Sequence, residues 1–447
     1  DYQNNSDVSY MDQIAPAQLP SEVDYDVIRR GLWESSDMMY KYALGAMAQK
    51  TNYLQQNPKS PDEATLADMQ QLPAVTRLQE REVKYEIDLA GLQQLVTEVS
   101  AVFKEYKDIY NSSVSVSGTE VDLYRLTTEG VQLKSPGGFV NISVSAEARA
   151  DDGSNVGDSF SLSLLNPAEI PSIEQLKERV KAFAEGLLQL KAAPPVAEYY
   201  NGPIMFEGGA VATILANNLL YRGGLIASRT LTPTRGGLVD QFGSKIMDNR
   251  LTIKNYTAMK EYNGIPLYGY YEVDGEGVTP EAEMTLVEKG VFKKMLNGRT
   301  PTLQALETTG SARFILSPQS PTVTTGTGTI HVQVEKGTSH EKMKKMLIKA
   351  AKEAGQSCAY IVRGIAGSAL VVYRVDLKDG KETRVRTTGF RMPDLTKLQK
   401  IMAISSKEEV MNYLPNYYPA SMIYPAGMIV DGLVIEKATP KPVKEPA

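Results

Sequence analysis

The chain has 447 residues, 42% of them hydrophobic and 23% charged, and a formal net charge of -5. This length and balance suit a globular protein of about two or three domains, and the acidic surplus excludes the basic footprint needed to grip a phosphate backbone. No apolar run approaches the roughly 20 residues that cross a bilayer as a helix, and the lone Cys358 excludes an intrachain disulfide or a cysteine-rich metal site.

The chain begins Asp1-Tyr2-Gln3-Asn4-Asn5-Ser6-Asp7, polar and without an initiator methionine. Such a start fits a mature exported protein or a trimmed chain. The compartment stays open, with an exported, periplasmic location favoured over a cytoplasmic one. Residues 1–23, with Pro16 and Pro20, read as a loosely held segment.

Residues 24–195 read as a first domain. Ile28, Leu32, Met39, Ala43 and Met47 recur at helical spacing over 24–56, and Pro58 and Pro61 break the pattern. A second helix follows Asp88 on a stripe of Leu92, Leu95, Val99 and Val102. Residues 113–165 then switch to a period of two, and Gly118, Gly130, Gly137-Gly138 and Gly153 predict a meander of short hairpin strands. Ser172 followed by Gln175 predicts a boxed helix start, with Leu176, Val180, Phe183 and Leu187 on one face. Helices laid on an antiparallel sheet make this an α+β domain.

Lys191-Ala192-Ala193-Pro194-Pro195 reads as a linker to a second, sheet-rich mixed domain over 196–447. Its predicted strands cover 266–273, 284–287, 291–296, 329–334 and 359–362, with Glu288-Lys289-Gly290 as a tight turn. One helix interrupts them, with Thr338 as cap, Glu341 closing the box, Met343 and Leu347 inward, and Gly355 at its end.

The richest stretch for chemistry is Gly202-Pro203-Ile204-Met205-Phe206-Glu207-Gly208-Gly209-Ala210-Val211. A zinc peptidase needs imidazole or thiolate ligands and a carboxylate to activate water, and only the carboxylate, Glu207, is present. Two readings stay open. One is a strand, a Gly208-Gly209 turn and a core helix; the other keeps Glu207 at a cleft, where the amides of the helix start can hold an anion. Nothing in their spacing makes His331 and His340 a metal pair, and Cys358 reads as a buried strand residue. Asp274 and Glu276 sit in a glycine-rich run that does not fit a calcium loop and reads as a turn. Tyr413, Tyr417, Tyr418 and Tyr424, among Pro415, Pro419 and Pro425, suit either a groove for an extended chain or core packing.

Tyr270-Tyr271-Glu272-Val273-Asp274-Gly275-Glu276-Gly277-Val278, Leu286-Val287-Glu288-Lys289-Gly290-Val291-Phe292 and Leu296-Asn297-Gly298-Arg299 together resemble the signature of the TldD/PmbA family. Gly202-Pro203-Ile204-Met205-Phe206-Glu207, Thr128-Glu129-Gly130 and Ala150-Asp151-Asp152-Gly153 are similar to further family segments, so the resemblance runs over about 85–447. It implies an N-terminal α+β domain, a C-terminal sheet-rich domain, and a dimer, either a homodimer or a heterodimer of a TldD-type with a PmbA-type subunit. It also implies that the TldD type is a zinc peptidase acting on unfolded or leader peptides, its zinc held by two helix histidines and a late cysteine. At those positions this chain keeps Glu207, carries Phe206 and Val211 in place of the histidines, and has no cysteine after Cys358.

The resemblance therefore implies the metal-free PmbA-type subunit, with no cofactor of its own and zinc in the related catalytic subunit. Such a chain would bind an extended peptide beside that zinc-bearing partner, with Gly208, Gly209, Asp274, Glu276, Arg299, Tyr417 and Tyr418 as groove positions. One alternative is a stand-alone homodimer that binds peptide or glycan. A second is a metal-independent hydrolase using Glu207 with Asp274 or Glu276. The family also carries the name modulator of DNA gyrase, and the acidic balance implies that any such link is indirect, without direct nucleic-acid binding.

Overall fold

The computed structural model describes residues 24–59, 66–81, 88–221, 224–227, 238–317, 322–366, 369–386 and 390–436. Its helices are α1 Tyr25–Gln56, α2 Leu89–Ser100, α3 Ile173–Ala192, α4 Gly209–Leu219, α5 His340–Glu353 and α6 Leu395–Leu398. The first strands are β1 Thr76–Leu78, β2 Ile109–Leu126, β3 Gln132–Arg149, β4 Asn155–Leu164 and β5 Tyr200–Glu207. Then come β6 Leu251–Tyr256, β7 Glu261–Tyr262, β8 Ile265–Pro266, β9 Glu283–Glu288, β10 Val291–Phe292, β11 Ala312–Phe314, β12 Val323–Thr325 and β13 Thr329–Val334. The last are β14 Cys358–Ala366, β15 Ala369–Asp376, β16 Glu382–Val385, β17 Ile401–Ile404, β18 Glu408–Tyr413, β19 Ala420–Pro425 and β20 Gly427–Ile435. The predicted loose segment 1–23 lies outside the described residues.

The meander expected over 113–165 forms, but from three long strands rather than from short ones. β2 and β3 run antiparallel from Leu126 opposite Gln132 to Ile109 opposite Ala148, and β4 continues on β3. Gly118 pairs with Val140 and Gly137 with Val121, so both glycines lie inside strands; the chain reverses at Gly130 and Gly153, both with positive φ. A strand glycine costs only about 1 kcal/mol, which continuous pairing on both sides outweighs. Leu95 and Val99 of α2 and Leu176, Val180 and Ala184 of α3 pack on Ile142, Val144 and Ala146. The expected capping box closes, with Ser172 Oγ accepting from the Gln175 amide at 3.3 Å and Gln175 Oε1 from the Ser172 amide at 2.9 Å. α1 forms where the spacing put it, but none of its residues is buried and Leu32, Met39 and Met47 are exposed.

Among the described residues the C-terminal part has the small pairs β7-β8 and β11-β12 and two six-stranded sheets, ordered β10-β9-β6-β13-β19-β18 and β16-β15-β14-β5-β20-β17. α4 lies in the core they share, and its Ala210, Val211, Ile214 and Leu215 meet Ile253, Leu286 and Ile330 from one sheet and Ile204, Phe206 and Val362 from the other. Successive strand residues face opposite sides, so Met205, Ala359 and Ile361 point away from that core and meet Met343, Leu347 and Ala351 of α5. With both faces covered, this second sheet is apolar on successive residues.

Three local expectations change. Residues 267–273 are a loop, because backbone donors there find side chains and distant carbonyls: Tyr268 donates to Ser421 Oγ at 2.8 Å and Tyr271 to Thr257 O at 3.0 Å. The strand expected over 291–296 stops at Phe292, although the tight turn before it forms with Lys289 and Gly290 both at positive φ. α5 is preceded by Ser339 rather than capped by Thr338, whose backbone instead pairs with 404–406. The proline run at 194–195 is stitched to the strand end at Arg386, with Val196 donating to Arg386 O at 2.8 Å and Arg386 to Pro194 O at 2.9 Å.

Candidate functional site

β5 and β14 pair in parallel, with Phe206 beside Val362, and the next residues on the two strands are Glu207 and Arg363. Strand alternation turns Phe206 into the inter-sheet core, where Val211 joins it; both are fully buried. Glu207 turns to the α5 face. Its Oε2 accepts from Arg363 Nε at 2.6 Å, and its Oε1 lies 2.5 Å from Nε2 of His340, the first residue of α5. Arg363 also pairs with Glu382 at 2.7 Å, Glu382 with Lys344 at 2.6 Å, and the Arg363 guanidinium lies 4.7 Å over the Tyr373 ring. Burial opposes the charge on Glu382, but Lys344 and Arg363 outweigh it and hold the carboxyl below its usual range.

This alternating chain of charges is a clamp joining β5, β14, β16 and α5. A general base needs a lone pair turned to the substrate, whereas both Glu207 oxygens already have protein partners and the side chain is 12% exposed. Nor do these residues fit the zinc implied by the resemblance. Positions 206 and 211 hold apolar side chains fully buried in an apolar core, Glu207 faces the other way, and no three His, Cys, Asp or Glu gather as a metal site among the described residues. Gly208 caps α4 at φ 54 and ψ -132, where only glycine sits without strain, while Gly209 has open space around it.

The other candidates lie apart from Glu207. Asp274 is 2% exposed and accepts amide hydrogen bonds from Glu276, Val278 and Ala312 at 2.8 to 3.0 Å, which pins its turn to β11. Burial, opposed by those amides, pushes its carboxyl up to about 6. Glu276 Oε2 accepts from the Arg299 amide at 2.8 Å. The Arg299 side chain is 3% exposed; it grips Glu129 with two bonds of 2.6 and 2.8 Å and also donates to Gln70 O, tying the N-terminal part to the C-terminal part. The two carboxylates proposed to work with Glu207 are thus committed elsewhere.

Tyr418 is buried against Gly326, where a Cβ would come within 2.5 Å of its ring, whereas Tyr417 is 54% exposed with its ring 5.9 Å from Phe139. Tyr424 is buried. His331 Nε2 lies 2.9 Å from Glu408, and Cys358 is buried at the start of β14. The two histidines therefore serve different carboxylates. Arg363, Glu382 and Glu408 are not among the sequence-predicted site residues. Glu382 lies in the segment 379–386 that is similar to a late family strand pair, but nothing there marks it as a partner of Arg363, and only the strand registers bring these residues in.

The family model for the PmbA/TldA metallopeptidase C-terminal domain matches residues 201–435. No curated protein matches the chain. Among solved structures, TldE from Thermococcus kodakarensis is similar at 18% identity and TM-score 0.54, over 85% of this chain and 81% of that one. A protein from Thermotoga maritima that carries the name modulator of a DNA gyrase is similar at 14% identity and TM-score 0.55, over 83% of this chain and 81% of that one. These likenesses show a shared α+β fold. With the family model spanning more than half of its residues, the chain belongs to the TldD/PmbA family.

Proposed function

We propose that this chain is a non-catalytic subunit of a TldD/PmbA-type peptidase, docking to a zinc-bearing partner and helping to enclose an extended peptide. The observation that carries the reading is the state of the motif positions. The one retained catalytic-type residue, Glu207, is locked between Arg363 and His340, and Phe206 and Val211 are core side chains. Main-chain pairing to an open sheet edge would hold a peptide without regard to its sequence. The test is reconstitution: the zinc-bearing homologue is assayed for peptide cleavage alone and with this chain added in equimolar amount. Co-elution and faster cleavage support the subunit role. Cleavage and elution unchanged by this chain would leave the stand-alone peptide- or glycan-binding homodimer as the better reading.

A further inference from the structure

One edge of β3 pairs with β2 along its length, while the other carries β1 at 132–134 and β4 at 140–149. Residues 135–139 between them have no strand neighbour on that second edge among the described residues. This gap opens on a cavity of about 660 Å³, walled on the far side by the loop around Tyr271 and by β11. Cavities of that size hold small ligands or a few residues of peptide.

Arg313 of β11 lines the cavity and is 6% exposed. Its guanidinium carbon lies 3.8 Å over the Tyr271 ring and 5.8 Å from that of Tyr418. Nη2 donates to Pro419 O at 2.9 Å, but Nη1 has no acceptor and no carboxylate forms an ion pair with the side chain among the described residues. Nearby Asp274 gives both oxygens to backbone amides. Burying a cation without an ion-pair partner costs several kcal/mol; the two tyrosine faces and Pro419 O offset part of that cost, and Nη1 is left as a donor without an acceptor. A guanidinium held flat on a tyrosine ring is preorganised for a planar anion. Lys260, exposed on the rim over Tyr270, adds positive potential at the mouth.

We propose that this cavity is a carboxylate-binding site with Arg313 as its anchoring cation. Two sources share that chemistry. One is a small free carboxylate; the other is a carboxylate on an extended peptide whose backbone lies along residues 135–139 of β3. The site stands on Arg313 and the cavity, independently of the subunit reading.

The experiment titrates the full chain with succinate by calorimetry and with fluorescent hexapeptides by anisotropy. The peptides have a free or an amidated C-terminus, and within the amidated set an internal Glu or Gln. Saturable binding of succinate alone identifies a small-molecule site, and binding of the acid but not the amide identifies a peptide C-terminus. Amidated peptide that binds with Glu but not with Gln identifies an acidic side chain. In each case Arg313→Met should weaken binding about tenfold or more, with a melting temperature equal to or above that of the wild type, since an apolar side chain then replaces an uncompensated charge. The rim variant Lys260→Glu should weaken the same ligand several-fold and covers the case in which Arg313→Met fails to fold. The proposal is overturned if no carboxylate saturates the protein, or if binding is the same with Arg313→Met, or with Lys260→Glu where Arg313→Met does not fold. Equal binding of every peptide without a response to succinate also overturns it, while leaving sequence-independent peptide binding intact.

Discussion

Glu207 Oε2 stands 2.6 Å from Arg363 Nε, on two parallel strands whose register sets the residues side by side. Strand alternation gives them the same face, so the pair follows from backbone pairing rather than from any local motif. If Glu207 is a clamp, Glu207→Gln should cost about 1 kcal/mol, because Arg363 loses a charged acceptor on a side chain that is 12% exposed, while the exposed His340 adds little. Urea unfolding measures that loss. Peptide cleavage by a reconstituted complex should stay within about twofold of wild type, since loss of a working general base reduces rates by about a hundredfold or more.

Asp274 gives a pH signature. Its folded-state carboxyl is pushed up to about 6, against about 3.9 when unfolded. The folded state thus holds its proton more tightly, and the contribution to stability is fully present below about pH 4 and lost as pH rises through about 6. The gap corresponds to at most about 3 kcal/mol. Relative to Asp274→Asn, the wild type should lose stability between about pH 4 and pH 7 in urea titrations. A difference that does not change with pH contradicts the buried, proton-holding carboxyl.

Arg299 ties Gln70 and Glu129 to the turn that Glu276 closes. Arg299→Ala leaves those acceptors unpaired at a site only 3% exposed, and should cost about 3 kcal/mol. Arg299→Lys should recover only part, because a point charge cannot replace the two-pronged grip on Glu129. Equal stability of the lysine variant and the wild type speaks against that geometry.

Gly208 separates backbone strain from steric clash. A Cβ there would meet nothing closer than Glu409 Oε2 at 3.6 Å, yet φ is 54 and ψ is -132. Gly208→Ala should therefore destabilise by about 1–3 kcal/mol through conformation alone, whereas Gly209→Ala, with nothing within 4 Å, should be close to neutral. Similar losses at both positions would point to packing instead.

Elements with a local cause were legible in the sequence. The Ser172–Gln175 box, the Lys289-Gly290 turn and the core face of α5 each follow from residues within a few positions of one another. The long strands β2 and β3 were not, because Gly118 and Gly137 look like turn residues until each is seen paired across the sheet. The clamp around Glu207 was also hidden. His340, Arg363 and Glu382 lie more than a hundred residues further on, and only the order of β16, β15, β14 and β5, with α5 packed on that sheet, brings them together. Family likeness pointed to Glu207 but gave no hint that it faces away from Phe206 and Val211.

The most direct test of the central claim is elemental analysis of the chain, purified without chelators or a histidine tag, beside its Glu207→Gln variant. A structural Glu207 predicts zinc far below one ion per chain in both proteins. Near-stoichiometric zinc in the wild type, lost in Glu207→Gln, would mean that Glu207 is a metal-site residue and that the clamp with Arg363 and His340 is not its working state.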